Sequence, residues 1–249
     1  MAKIRKPEEI FKEITEGFKD IFKDDLISIL LYGSGAGDDF IPGKSDLNFL
    51  IIVSEEAIDH LDRTLEMVSR WKKRNVSTPL FMTKSYIQSS LDSYPIEFLN
   101  MQKKHILVYG EDILSDISFQ SRHLRLQCER EIKGKILLLR EGFLETGGKQ
   151  KRIKELIKVS ITAFISIFNG LLYLMGAEIP QTRREIIQSI AKAIPVNQET
   201  FMKCLDIKEG KNGLSSSEIN DLFKAYVVEV RKLWEFVDKM EIEDKEITA

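Results

Sequence analysis

The sequence predicts an α+β chain: an N-terminal mixed β-sheet with flanking helices, followed by a C-terminal α-helical bundle. Three observations predict it. Two short apolar runs, Leu26–Tyr32 and Leu47–Val53, are rich in Ile and Leu and bounded by turn residues, as buried strands are. Between them lies a loop containing Gly33, Gly35, Gly37, Pro42 and Gly43. Beyond about residue 118 the strand signals stop, and long segments with apolar residues at helical spacing take over. The expected domains are residues 1–117 and 118–249.

Residues 7–23 read as an amphipathic helix that packs on the sheet. Pro7 suits a first turn, and Ile10, Phe11, Ile14, Phe18, Ile21 and Phe22 form one apolar stripe. Ser54 is placed to cap a helix with Glu55 and Glu56 in its first turn and Ala57, Leu61, Leu65, Val68 and Trp71 on its apolar face. Thr78–Met82 reads as a third strand, and Thr83 as the cap of a short helix through Ser90. Pro95 suits the start of a strand, so Ile96–Met101 is expected as a fourth, with Glu97, Leu99 and Met101 on one face. Ile106–Tyr109, ending at Gly110, reads as an edge strand.

In the second half, Leu124, Ile132, Ile136, Leu139 and Phe143 lie at helical spacing, and Gly147-Gly148 stops that helix. Ile153–Met175 is apolar around much of its circumference and is expected to be the central helix of the bundle. Thr182 caps a third helix running to Ile194, and Gln198–Ile207 makes a short fourth. One of Ser215, Ser216 and Ser217 caps the last helix, which ends near Met240; the tail beyond it is expected to fray.

Composition narrows the function classes. The 249 residues are 43% hydrophobic and 31% charged with a formal net charge of −2, so no global field draws the chain to nucleic acid. No apolar run is read as a membrane span, the start shows no apolar signal core, and Cys128 and Cys204 lack the spacing of a metal or redox motif. These features read as a cytoplasmic protein with no membrane partner. Residues 120–158 carry eleven Lys or Arg against five Glu, but no stacking aromatics are interleaved with them, so nucleic-acid binding has little support. His60, His105 and His123 show no metal-ligand spacing and are read as structural or surface residues.

The chemistry concentrates between the first two strands. A Gly33-Ser34 pair sits where the first strand ends, and Asp46 and Asn48, two apart, point to one face of the second. Two polar ligands on one face beside a Gly-Ser turn suggest a metal-bound triphosphate. The loop is not a P-loop, because Gly43-Lys44-Ser45 precedes a strand where a P-loop precedes a helix.

This arrangement of strand, Gly33-Ser34, loop, Asp46-x-Asn48 and strand resembles the nucleotidyltransferase superfamily, the polymerase-β-like fold that includes the aminoglycoside nucleotidyltransferases. That family's pattern has Asp-x-Asp, so Asn48 is a departure. The resemblance implies a nucleotidyltransferase-like first domain, a helical second domain and a nucleoside triphosphate ligand. It implies Asp46, Asn48 and Glu97 as the catalytic set, Asp46 and Glu97 as metal ligands, and Gly33, Ser34, Lys44 and Ser45 as nucleotide-binding residues. Glu97 stands as candidate for the third carboxylate that the family takes from a strand beside the Asp-x-Asp strand.

Nucleotidyl transfer builds charge on the attacking and leaving oxygens, which two Mg²⁺ ions about 3.5–4 Å apart can stabilise. Asn48 can offer a carbonyl but no charge, so the expectation is one Mg²⁺, arriving with the triphosphate, and weak or lost transfer to an unidentified small-molecule or protein acceptor. Asp38 and Asp39, in the same loop, are alternative acids. Two other readings stay open: an inert scaffold or regulatory module that pairs as a homodimer through its helical domain, and an active aminoglycoside-type enzyme with a variant metal site.

Overall fold

The computed structural model describes residues 4–37, 40–43, 45–211, 213–243 and 246–248. The chain divides into two compact units. One holds residues up to Asp92 together with Glu97–Phe119, and the other holds Ser93–Ile96 and Gln120–Ile247.

The first unit is built on a four-stranded mixed sheet. Its strands are β1 (Leu26–Tyr32), β2 (Asn48–Val53), β3 (Leu80–Met82) and β4 (His105–Gly110), in the order β3-β2-β1-β4. β1 pairs antiparallel with β2 and β4, and β2 pairs parallel with β3. Both central strands are almost wholly buried, which accounts for their continuous apolar sequence.

One sheet face is covered by α1 (Phe11–Phe22), which a 3₁₀ turn beginning at Pro7 leads into. Ile29, Leu31, Leu47, Phe49, Ile51 and Val53 share a core cluster with Ile10, Ile14, Phe18 and Phe22 of the α1 region. Phe18 sits at the centre of this cluster, stacked on Phe22 and edge-on to Trp71 and Phe81. Strand alternation therefore turns Tyr32, Asn48, Leu50, Ile52, Leu80 and Met82 to the opposite face.

Three local expectations are corrected. The segment after Ser54 is not one continuous helix. Ser54 does cap it, its Oγ accepting from the Ala57 N–H at 3.2 Å, but a 3₁₀ stretch, Ala57–Thr64, precedes the helix α2 (Leu65–Lys72). His60 departs from helical geometry (φ −119°, ψ 35°), which rotates the later face and leaves Leu65 68% exposed. The short helix after Thr83 forms as α3 (Lys84–Ser90). Ile96–Met101 is not a strand but lies in the helix α4 (Pro95–Lys103). Proline suits a first helical position as well as a strand start, and a short apolar run does not by itself discriminate between them. The tail, expected to fray, contains the strand Glu246–Thr248.

The second unit is a bundle of α5 (Ser121–Thr146), α6 (Gln150–Leu174), α7 (Arg183–Ala193), α8 (Gln198–Glu209) and α9 (Ser216–Asp238). α6 touches each of the other four. It is long and apolar enough to span a membrane by length and composition, but Ile153, Ile157, Ile161, Phe164, Phe168 and Leu171 are buried within the bundle. Thr182 and Ser215 close capping boxes with Glu185 and Glu218, and Gly147 ends α5 in the left-handed conformation at φ 57°. The basic residues of α5 are largely engaged within the bundle, with Arg125 and Lys133 on Glu129, and Lys135 on Glu131.

Candidate functional site

The register of β1 and β2 brings the glycine turn to the start of the second strand. Tyr32 lies directly across from Asn48, so the chain leaves β1 at Gly33 beside the point where Asp46-Leu47-Asn48 joins the sheet. Gly33 takes φ +74°, a conformation that side chains resist, and a Cβ placed there would lie 3.7 Å from Asn48 Nδ2. Leu47 is buried, and its N–H and carbonyl bond Asn75 and Ser77 at 2.9 Å each. That anchorage leaves Asp46 exposed and Asn48 half-buried on the face away from α1. Ser34 is half-buried at the turn. Ser45, expected at the nucleotide, also braces its own loop: its Oγ accepts from the Ile41 N–H at 3.0 Å. Lys44, Asp38 and Asp39 lie outside the described residues.

The third carboxylate does not stand where the sequence placed it. Glu97 is exposed on α4, and helical spacing turns it away from Leu99, which strand spacing would have placed on its face. The strands that flank β2 are LISILLY and LFM, without an acid between them. On the face of Asn48, β3 contributes Leu80 and Met82; Leu80 lies beside Leu50 and is 37% exposed. Among the described residues no cluster of three His, Cys, Asp or Glu could hold a metal ion. Paired Mg²⁺ ions need hard anionic oxygens, and the strands at the turn offer Asp46 and a neutral amide. Among the described residues, this donor set does not fit a resident metal.

Three residues that sequence reasoning did not assign to the site line it. Tyr32 joins Asn48 on one side and His105 on the other, forming a polar row across three strands. Burial pushes the Tyr32 hydroxyl up from its ordinary value, so it stays protonated at neutral pH. Lys104, just before β4, accepts the Gly33 N–H on its carbonyl at 3.0 Å. The sequence offered only Tyr-Gly at the end of one expected strand and Lys-His before another, which gives neither pairing nor register.

His105 is clamped at both ring nitrogens. Nδ1 lies 2.9 Å from the Gln102 carbonyl and Nε2 3.0 Å from the Asp112 carboxylate. Both partners only accept, so both bonds form when the ring carries both protons. Burial raises the Asp112 carboxyl, but hydrogen bonds from His105 and Ser115, with the histidine charge, outweigh it and leave the group below its ordinary range. A depressed carboxylate contributes stability above its unfolded pKa and loses it as pH falls through the folded value. Asp112→Asn is therefore expected to lower the melting temperature by a few degrees at neutral pH. The deficit should shrink in acid; a deficit that is the same at both pH values would refute this account.

No family model and no curated protein matches the chain. Among solved structures, the spectinomycin adenyltransferase AAD(9) from Enterococcus faecialis, determined with ATP and spectinomycin, is similar in fold. The match has a TM-score of 0.56 at 13% identity and covers 90% of this chain and 99% of that one. The mixed sheet with its flanking helices, continued into a helical bundle, is the architecture the chain shares with that structure.

Proposed function

We propose that the chain binds a nucleoside triphosphate at the Gly33–Ser34 turn and has weak or lost capacity to transfer its nucleotidyl group. One observation carries the second half of this reading: neither strand beside Asp46-x-Asn48 supplies a carboxylate, and Glu97 is on a helix. The first half is supported by the positive-φ glycine beside Asn48 and by the fold shared with an enzyme determined with ATP. Mg²⁺ enters this reading as the counter-ion of the triphosphate, with no step routed through it. Cys128 and Cys204 are buried and form no disulfide, which accords with a cytoplasmic setting.

Thermal melting with ATP tests the reading. A ligand at about 100 times its dissociation constant stabilises by about 2.7 kcal/mol, several degrees for a chain of this size. The unaltered protein is expected to show that shift. Gly33→Ala is expected to lose most of it, because a side chain at φ +74° forces the turn to move. A melting curve indifferent to ATP would remove the proposal.

A second reading, an interaction module, draws on one feature of the bundle. α5 exposes Leu126, Leu137, Leu138 and Leu144, at 60%, 63%, 61% and 79%. Under this reading the chain is a homodimer in solution, checked by light scattering.

A further inference from the structure

We infer that the groove between α5 and α9 receives an amphipathic helix of a partner protein, one with carboxylates flanking its apolar side. This rests on the interaction-module reading above, whose exposed α5 leucines it shares, but it assigns them a partner other than a second copy.

The groove lies within the second unit and has a volume of about 350 Å³. Its floor is apolar. Phe143 of α5 stacks on Phe223 of α9, with ring centroids 4.7 Å apart and planes 9° from parallel. Leu144, Val227 and Val228 border this pair. Leu144 is 79% exposed and Val228 44%, so the groove is shallow. A small ligand there would stay largely wet, whereas ligand pockets bury about 70–90% of what they hold. The apolar surface is also elongated. Leu137 and Leu144, both exposed, stand two turns apart on α5 and extend it along the helix by about 10 Å. A helix laid into the groove covers such a strip, and a compact molecule does not.

Charge selects the occupant. Among the described residues, Arg140, Lys224 and Arg231 line the groove and no acid does. Lys224 pairs with Asp221 at 3.7 Å. Elsewhere on the two helices the ion pairs take Arg125, Lys133, Lys135 and Lys232, and leave the exposed Arg140 and Arg231 without one among the described residues. Glu141 and Glu145 stand two residues to either side of Phe143, so helical spacing turns them away from the groove. Glu235 lies one turn beyond Arg231 and is not paired with it. Two exposed guanidiniums beside an apolar floor match carboxylates, which arginine binds through two parallel hydrogen bonds. A second copy docked about a two-fold axis would instead bring the basic rim against itself.

Anisotropy of a fluorescent peptide, titrated with the full chain, tests this. The probe is a helical peptide of about 16 residues, ~24 Å long, with leucines on one face and glutamates flanking them. It is expected to bind saturably, and its glutamine counterpart to bind about tenfold more weakly or worse. The double variant Arg140→Glu, Arg231→Glu should lose the glutamate peptide and bind a lysine counterpart more tightly than the unaltered protein does. Leu144→Asp should weaken the glutamate peptide as well. Melting curves show that each variant is folded. Equal binding of the glutamate and glutamine peptides, or binding that the double variant leaves unchanged, would overturn the inference while the interaction-module reading stands. So would a dimer in light scattering that Leu144→Asp dissociates, because a second copy would then fill the groove. A monomeric protein that binds none of the peptides would overturn both.

Discussion

Pyrophosphate release from ATP by the unaltered protein, with spectinomycin as a trial acceptor, is expected at background, and Asn48→Asp by itself is expected to leave it there. The reason is the register of β3. Restoring the acid on β2 gives two carboxylates on one strand, but the adjacent strand still presents Leu80 beside Leu50 on that face. The double variant Asn48→Asp, Leu80→Glu places a third carboxylate there. Leu80 is 37% exposed on the edge strand of the sheet, where a charge is tolerated. The double variant is expected to bind Mn²⁺ in the absence of nucleotide, and the unaltered protein is expected not to. If the recovered ion supplies even ~3 kcal/mol to the transition state, release rises about 100-fold over the single variant. Robust release by the unaltered protein would show that the substituted site is competent and would defeat the explanation.

Gly110→Ala is expected to destabilise the first unit by about 3 kcal/mol or more in urea unfolding. Two costs combine. Gly110 has φ +82°, where a side chain costs roughly 1–2 kcal/mol. A Cβ there would also sit 2.0 Å from the Ile27 carbonyl oxygen, and backbone at the end of a central strand cannot move aside cheaply. The position lies opposite Ser28, whose Oγ donates to the carbonyls of Tyr109 at 3.1 Å and Glu111 at 2.7 Å, so the strand end is pinned on both sides. Gly147→Ala provides the comparison. Its φ of +57° is also left-handed, but nothing lies within 4 Å of the added Cβ, so about 1 kcal/mol is expected. Equal losses at the two sites would show that the close approach at Gly110 costs nothing. Because β4 begins at His105, a displaced strand also carries Lys104 away from the turn, and ATP binding should weaken with stability.

Much of the architecture was written in short-range pattern. Leu26–Tyr32 is a strand with the limits its apolar run announced, and Thr182 and Ser215 cap the helices their sequences start. Gly147 stops α5 as a C-terminal glycine does, and Ile153–Met175 became the central helix because residues apolar around a full turn must be covered on every side. The Gly33-Ser34 and Asp46-x-Asn48 motifs were legible for the same reason: each is a few consecutive residues whose spacing sets their relative direction. Asn48 announced a deficit of charge without any coordinates.

What only the tertiary structure decided are relations between residues far apart in the chain. Pro95 and the apolar residues after it satisfy a strand and a helix equally, and packing chose the helix that removes Glu97 from the sheet. The pairing of β2 with β3 put Leu80, not an acid, on the face of Asn48. The hydrogen bond from the Gly33 N–H to the Lys104 carbonyl joins two segments with no shared periodicity. Local sequence sets the direction of a side chain along its own helix or strand. Which side chains then meet is set by strand register and close packing.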